Sequence, residues 1–219
     1  MNSNRELKNA RYTAFAEMGK VFANARRLEI IDVLIQRPRS VEEIATSIQQ
    51  SVASTSQHLQ VLKRTKAVNT ERQGTTIIYS LAEGTLEVFV AMRKLADAIN
   101  PSLQVLQQQR SIPSVTFEHV QHVLQESSAV LLDVRTVAEF ENGHIEGAIN
   151  IPLLELQNRV GELHLHQKVI VTCRGPYCVS SDEAAKFLSE KGFSVSRYDD
   201  GVGEWCVLGG KLCTTFDCH

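Results

Sequence analysis

Apolar residues recur at helical spacing through residues 5–24, at Leu7, Ala10, Ala14, Phe15, Met18, Val21 and Phe22, and predict a first helix. A second, over about 25–36, carries Leu28, Ile31 and Leu34, with Ile30 and Ile35 widening the stripe, and Pro38 stops it. Ser40-Val41-Glu42-Glu43 has the form of a capping box and opens a short third helix to about Ile48. Ser51 caps a fourth, over about 52–64, whose buried face would hold Val52, Thr55, Leu59 and Leu62. The period then changes. Val68, Thr70 and Arg72 precede Gln73-Gly74, and Ile77, Ile78, Tyr79 and Leu81 follow, which reads as a hairpin turning at the glycine. A further helix runs over about 85–99. Pro101 and a Gln-rich stretch (Gln104, Gln107, Gln108, Gln109) lead to Pro113 and read as a linker.

Beyond it, strands alternate with helices. Val130–Val134, Lys168–Thr172 and Phe193–Tyr198 are short apolar strands, and an amphipathic helix over 182–191 ends at Gly192. This rhythm predicts a mostly parallel sheet with helices on its faces. The chain therefore divides into residues 1–100, a linker at 101–113, and residues 114–219. The fold class expected is a mainly α winged helix-turn-helix with a β-hairpin wing, followed by an α/β domain.

Charge sharpens this division. Residues 1–110 hold 15 Lys/Arg against 10 Asp/Glu, net +5, whereas residues 111–219 hold 8 against 15, net −7. Halves of opposite sign suit different partners, and a basic half suits phosphate. No apolar run is long enough to span a membrane, and the N-terminus lacks a signal-peptide pattern, so a cytoplasmic protein without a membrane partner is expected. All five cysteines lie within the last 47 residues. An odd number without a secretion signal points to catalytic, redox or metal chemistry rather than a disulfide framework.

In the N-terminal half the fourth helix is the expected DNA reader. Opposite its buried face stand Ser54, Ser56, Gln57, Gln60, Lys63 and Arg64. Gln and Ser can hydrogen-bond base edges, and Lys and Arg suit phosphates. The hairpin tip offers Arg72, Gln73 and Thr75 to the minor groove or backbone. The stretches Ala25-Arg26-Arg27-Leu28-Glu29-Ile30-Ile31, Ser40-Val41-Glu42-Glu43-Ile44-Ala45, Ser56-Gln57-His58-Leu59-Gln60-Val61-Leu62 and Tyr79-Ser80-Leu81 resemble the ArsR/SmtB family of bacterial repressors. The resemblance covers about residues 10–100. It implies double-stranded operator DNA as a partner, and a homodimer built on residues 10–22 and 85–99. Two departures stand out. Where family metal sensors carry Cys-x-Cys, this chain has Ala45 and Ser47, and its first 110 residues hold no cysteine and one histidine, His58, so no metal site is expected there. Where members often have glycine after the reader helix, this chain has Lys66, so either the turn differs or Lys66 carries about 1–2 kcal/mol of left-handed strain.

In the C-terminal half, Cys173-Arg174-Gly175-Pro176-Tyr177-Cys178 follows a strand and precedes a helix. A strand-to-helix loop turns backbone N–H groups inward and receives the positive end of the helix dipole, which favours a thiolate. Leu132-Asp133-Val134-Arg135 with Glu139-Phe140, Gly143-His144-Ile145-Glu146-Gly147-Ala148-Ile149-Asn150-Ile151-Pro152, and Asp200-Gly201 through Glu204-Trp205 resemble the rhodanese family over residues 114–212, with Asp200 replacing a glycine. The resemblance makes Cys173 the sulfur-accepting nucleophile, cradled by Arg174, Gly175, Pro176, Tyr177 and Cys178. Asp133 and Arg135 would form a structural ion pair beside the loop, and His144 would be structural. It also implies a small sulfur donor such as thiosulfate or a persulfide, and no cofactor. Cys178 is either a resolving thiol for a Cys173 persulfide or a small loop-filling residue. Cys206, beside Trp205, reads as a core residue. Cys213 and the Cys218-His219 end could bind metal or relay sulfur, or be incidental.

Three functions fit. One is a DNA-binding regulator, a repressor by its resemblance, that senses sulfane sulfur or redox state at Cys173. The second is a sulfurtransferase whose N-terminal domain serves dimerisation or DNA localisation. The third is a repressor whose second domain is a binding platform.

Overall fold

The computed structural model describes residues 3–102, 105 and 110–214. Gln104, Gln107, Gln108 and Gln109 of the expected linker, and Cys218 and His219, lie outside the described residues. Two compact units result, Met1–Ala91 and Met92–His219, with the division inside one helix. Among the described residues no helix is long and apolar enough to cross a membrane.

The first unit runs α1 (Ser3–Phe22), α2 (Ala25–Gln36), β1 (Arg39–Ser40), α3 (Val41–Ser47), α4 (Val52–Arg64), β2 (Val68–Gln73), β3 (Thr76–Leu81) and the start of α5 (Thr85–Ile99). Local chemistry sets these limits. Asn24 and Ser51 accept from the backbone N–H three residues on, at 3.1 and 3.2 Å. Ser40 and Glu43 close the capping box from both sides, at 3.3 and 2.9 Å. Ile30, Ile31, Leu34, Ile44, Leu59, Leu62 and Phe89 meet in one core. Val52, expected inward, is instead 44% exposed, because it stands on the first turn of α4, ahead of the stripe that meets α2 and α3. The three strands form an antiparallel sheet in the order β1-β3-β2, with Gly74 at φ 63 in the hairpin turn.

Lys66 resolves the choice left by the sequence, since it adopts φ 58. Its N–H donates to Lys63 O at 3.0 Å and that of Ala67 to Leu62 O at 2.9 Å, the paired bonds of a Schellman turn. The turn is the family's kind, and the lysine bears its strain.

The second unit continues with α6 (Phe117–Gln125), β4 (Ala129–Asp133), α7 (Val137–Asn142), β5 (His144–Ile145), β6 (Ile149–Asn150), α8 (Leu153–Arg159), β7 (Lys168–Thr172), α9 (Ser180–Glu190), β8 (Ser194–Tyr198), α10 (Val202–Val207) and β9 (Leu212–Cys213). The main sheet is parallel throughout, in the order β6-β4-β7-β8. A small antiparallel pair, β5 with β9, which the sequence rhythm did not reveal, stands apart from it.

Register places the site. Asp133 is opposite Thr172, and Thr172 opposite Tyr198, so the carboxyl ends of three parallel strands are level. The segments that follow, at Val134, Cys173 and Asp199, leave the sheet side by side. Loops at the carboxyl ends of parallel strands are where such sheets gather functional groups. Three motifs far apart in sequence thereby share one rim.

Candidate functional site

The first candidate surface is on α4 and the hairpin. Thr55, Leu59 and Leu62 are buried, which turns Gln57, Gln60, Lys63 and Arg64 to the exposed side, with Ser54 and Ser56 half-buried at its border. His58 is half-buried. Arg72, Gln73 and Thr75 are all exposed at the wing, where Arg72 Nε donates to Gly74 O at 3.0 Å. Base-capable amides and phosphate-capable cations thus share an open face of one short helix.

The second candidate is the loop after β7. Val169 to Thr172 are buried, so the strand fixes where Cys173 begins. Gly175 has φ 141, a conformation open essentially only to glycine. The chain then folds back, with Cys178 N–H donating to Gly175 O at 3.0 Å. This fold brings Cys173 and Cys178 together, and they are joined as a disulfide with Cα atoms 6.4 Å apart. Cys173 is 2% exposed and packs among Leu132, Val134, Val171, Ala184 and Leu188. Cys178 is partly buried, between exposed Tyr177 and Val179.

The surroundings hold the loop from several sides. Arg174, which the resemblance placed in the cradle, sends its guanidinium to the buried carboxylate of Glu139, at 2.9 Å through Nε and 2.6 Å through Nη2. Glu139 Oε2 also accepts from the N–H and hydroxyl of Thr136, at 3.2 and 2.8 Å. Arg110 Nη2 donates to Pro176 O at 2.7 Å and its Nη1 to Asp199 at 3.2 Å. Asp182 and Asp199 are in turn paired with buried Arg197, at 2.5 and 2.9 Å. Also within the second unit, Tyr177 Oη donates to Asp97 at 3.0 Å, and Arg93 pairs with buried Glu204. Gly201 lies against the peptide joining Arg174 to Gly175, closer than any side chain would permit. Asp200, beside it, has its carboxyl pushed above the ordinary value by burial, against the pull of Lys94 and Arg93.

Asp133 and Arg135 underlie this rim. The guanidinium grips both carboxylate oxygens of Asp133, at 2.6–3.1 Å, and donates to Gly143 O at 2.9 Å, with both side chains almost fully buried. Asn150 Nδ2 donates to the carbonyls of Asp133 and Arg135 at 2.9 and 3.0 Å. His144 stacks on Phe140 at 3.7 Å, and its Nδ1 meets Phe140 O at 2.9 Å. These motif residues therefore tie β4, α7 and β6 to one another.

Cys206 is a correction. It is exposed on α10, just past the buried run Val202–Trp205, and Trp205 Nε1 donates to Lys211 O at 2.9 Å. Cys213 is half-buried on β9. Among the described residues no His, Cys, Asp and Glu cluster is arranged to hold a metal ion. Sequence reasoning missed Arg110 and the anchoring role of Glu139. The spacing Thr136-x-x-Glu139 was an available signal for the latter. Nothing local marked Arg110.

Comparisons with known proteins follow the same division. The family described as "Bacterial regulatory protein, arsR family" matches residues 24–66, and "Rhodanese-like domain" matches residues 116–207. The chain is 36% identical over 215 residues to the HTH-type transcriptional regulator Rv0324 of Mycobacterium tuberculosis, covering 95% of this chain and 94% of that protein. Over 96 residues it is 29% identical to the thiosulfate sulfurtransferase GlpE of Shewanella oneidensis, covering 43% of this chain and 93% of that one. A solution structure of a homodimeric winged helix-turn-helix DNA-binding domain from Mycobacterium bovis is 37% identical, covering 41% of this chain and 84% of that one, with a TM-score of 0.40.

Proposed function

Since this chain belongs to the ArsR-type HTH transcriptional regulators that carry a rhodanese-like domain, we propose that it binds operator DNA as a homodimer and responds to sulfane sulfur through Cys173 and Cys178. The reader is the exposed side of α4, with Ser54, Ser56, Gln57, Gln60, Lys63 and Arg64, assisted by Arg72, Gln73 and Thr75 on the wing. The dimer face is apolar. On α1, Leu7, Tyr12 and Phe15 are 52%, 63% and 77% exposed, and on the part of α5 in the same unit Val88 is 43% exposed. Large side chains bared on two helices are what a second copy would cover.

The observation that carries the sensing half is the Cys173–Cys178 pairing within one loop at the carboxyl rim of the sheet. With both thiols reduced, Cys173 thiolate attacks the outer sulfur of thiosulfate, an S–S bond forms, and sulfite leaves with the electron pair. Cys178 thiolate then attacks Cys173 Sγ, and the outer sulfur departs as hydrosulfide. The sulfane sulfur is reduced by two electrons, and the two thiols are oxidised to the disulfide. Two loop states with different packing are the requirement for coupling to DNA affinity.

The test is a mobility shift with full-length protein before and after thiosulfate, paired with intact mass. Treated protein should lose two hydrogens and change its operator affinity by about five-fold or more, the usual range of such couplings. Cys173→Ser should do neither. Unchanged affinity despite disulfide formation refutes sensing. The GlpE likeness favours a second reading, sulfur transfer to an external acceptor, which the same protein would show as thiocyanate formed from thiosulfate and cyanide.

A further inference from the structure

The two sulfurs of the loop differ in access. Cys173 is 2% exposed and held within the hydrocarbon cluster that includes Leu132, Val134 and Leu188. Cys178 is partly buried, and its two chain neighbours, Tyr177 and Val179, are 54% and 64% exposed. A thiolate cleaves a disulfide by approaching one sulfur along the extension of the S–S bond while the other sulfur leaves. An approach to Cys173 must displace packed side chains. Cys178 also packs against the cluster but is only partly buried, so an approach to it displaces less.

We infer that Cys178 is the sulfur attacked when small thiols reset the oxidised loop, so that signal and reset enter at different sulfurs. This rests on the reading of Cys173 and Cys178 as a sulfur-responsive pair. In the first step the thiolate RS⁻ forms a bond to Cys178 Sγ, the Cys173–Cys178 bond breaks, and its electron pair leaves on Cys173 as a thiolate. A second RS⁻ attacks the mixed disulfide at the sulfur of R, forms RSSR, and releases Cys178 as its thiolate. Two thiols are oxidised and one disulfide is reduced. The ligand class is a low-molecular-weight monothiol. Sulfane sulfur enters at Cys173 only when the loop is reduced. The buried sulfur is thereby shielded from reductant, and is restored first, as the leaving thiolate of the opening exchange.

The sequence makes the test direct. Trypsin cleaves after Lys168, Arg174 and Lys186, so Cys173 and Cys178 fall on separate peptides, 169–174 and 175–186. Oxidised full-length protein is mixed with one equivalent of glutathione, quenched in acid at early times, alkylated with iodoacetamide and digested without reductant. Glutathione should be found on 175–186 and the alkyl group on 169–174, with a preference of roughly tenfold or more. Glutathione on 169–174, an even distribution, or no adduct on either peptide overturns the inference. So does failure of the protein to form the disulfide under mild oxidation. A separate arm treats reduced protein with thiosulfate and follows persulfide on 169–174. Its absence would sink the sulfane-sulfur reading while leaving the position of the glutathione adduct readable.

Discussion

Replacing Gly201 by alanine isolates the support of the cysteine loop from every other variable. A Cβ at this position would lie 2.4 Å from Arg174 O, 2.5 Å from its carbonyl carbon and 2.8 Å from Gly175 N. All three are backbone atoms, so no side chain can swing aside. The Gly201 backbone itself, at φ −91 and ψ −168, suits alanine, and the cost is therefore contact rather than conformation. Reaching an ordinary C···O separation of about 3.3 Å requires the loop to retreat by about 0.9 Å. Overpacking of this kind costs about 1–3 kcal/mol. A displacement near 1 Å at a reacting group can cost on the order of a hundredfold in rate. The assays are denaturant unfolding followed by Trp205 fluorescence, and the rate of Cys173 persulfide formation from thiosulfate. Trp205 is the chain's single tryptophan and lies buried in the second unit, so it reports on that unit. The unfolding midpoint should fall, and the rate should drop by about ten- to a hundredfold, with operator affinity of the reduced protein unchanged. A variant with wild-type midpoint and rate would refute the claim that Gly201 seats the loop.

Other outcomes follow from single residues. Lys66→Gly relieves about 1–2 kcal/mol of left-handed strain and loses about 0.5–1 kcal/mol to glycine's freer unfolded chain, so the first unit should gain up to about 1.5 kcal/mol, read as a higher denaturation midpoint. Asp200→Asn should stabilise the second unit at pH 7 and not at pH 3. Burial raises the pKa of Asp200, so folding is penalised only once the carboxyl ionises, and the penalty grows as pH rises through the raised value. Melting curves at the two pH values check the sign. Cys178→Ser should trap the Cys173 persulfide, seen by mass as one added sulfur, and raise thiocyanate formation from cyanide several-fold by removing the internal competitor.

What the sequence disclosed was whatever short-range chemistry determines. The limits Ala25–Gln36 for α2 and Thr85–Ile99 for α5 follow from periodicity, caps and breakers, all within a few residues. The strand before Cys173 was legible because an apolar run ends at a glycine-proline loop. The errors lie where a neighbour distant in sequence decides. Val52 sits on the stripe's phase but precedes the part of α4 that meets α2 and α3, so spacing alone turned it the wrong way. Cys206 and Trp205 are adjacent on α10, and the buried run Val202–Trp205, whose tryptophan packs on Phe117 and Tyr198, ends one residue before the cysteine. Lys66 could not be assigned from residue type, since lysine rarely adopts positive φ. The paired bonds from Lys66 and Ala67 decided it.

At the sulfur site the motifs specify scaffold more than chemistry. Asp133, Arg135, Gly143 and Asn150 spend their hydrogen bonds on one another, and Glu139 holds Arg174, so the polar motif residues fix where the loop lies while Leu132 and Val134 supply only hydrocarbon around Cys173. The chemistry then depends on what stands five residues after the nucleophile. A thiol tethered within one loop competes for a Cys173 persulfide at an effective concentration of at least about a millimolar. An external acceptor below that concentration loses the competition, and the sulfur cycle stops at the disulfide. On the proposed reading, that is poor design for turnover and good design for a recorded event, and residue 178 is what would turn a rhodanese scaffold into a latch. The DNA-binding unit, with no cysteine and a single histidine in the chain's first 110 residues, would on that reading need no metal site of its own for the proposed response.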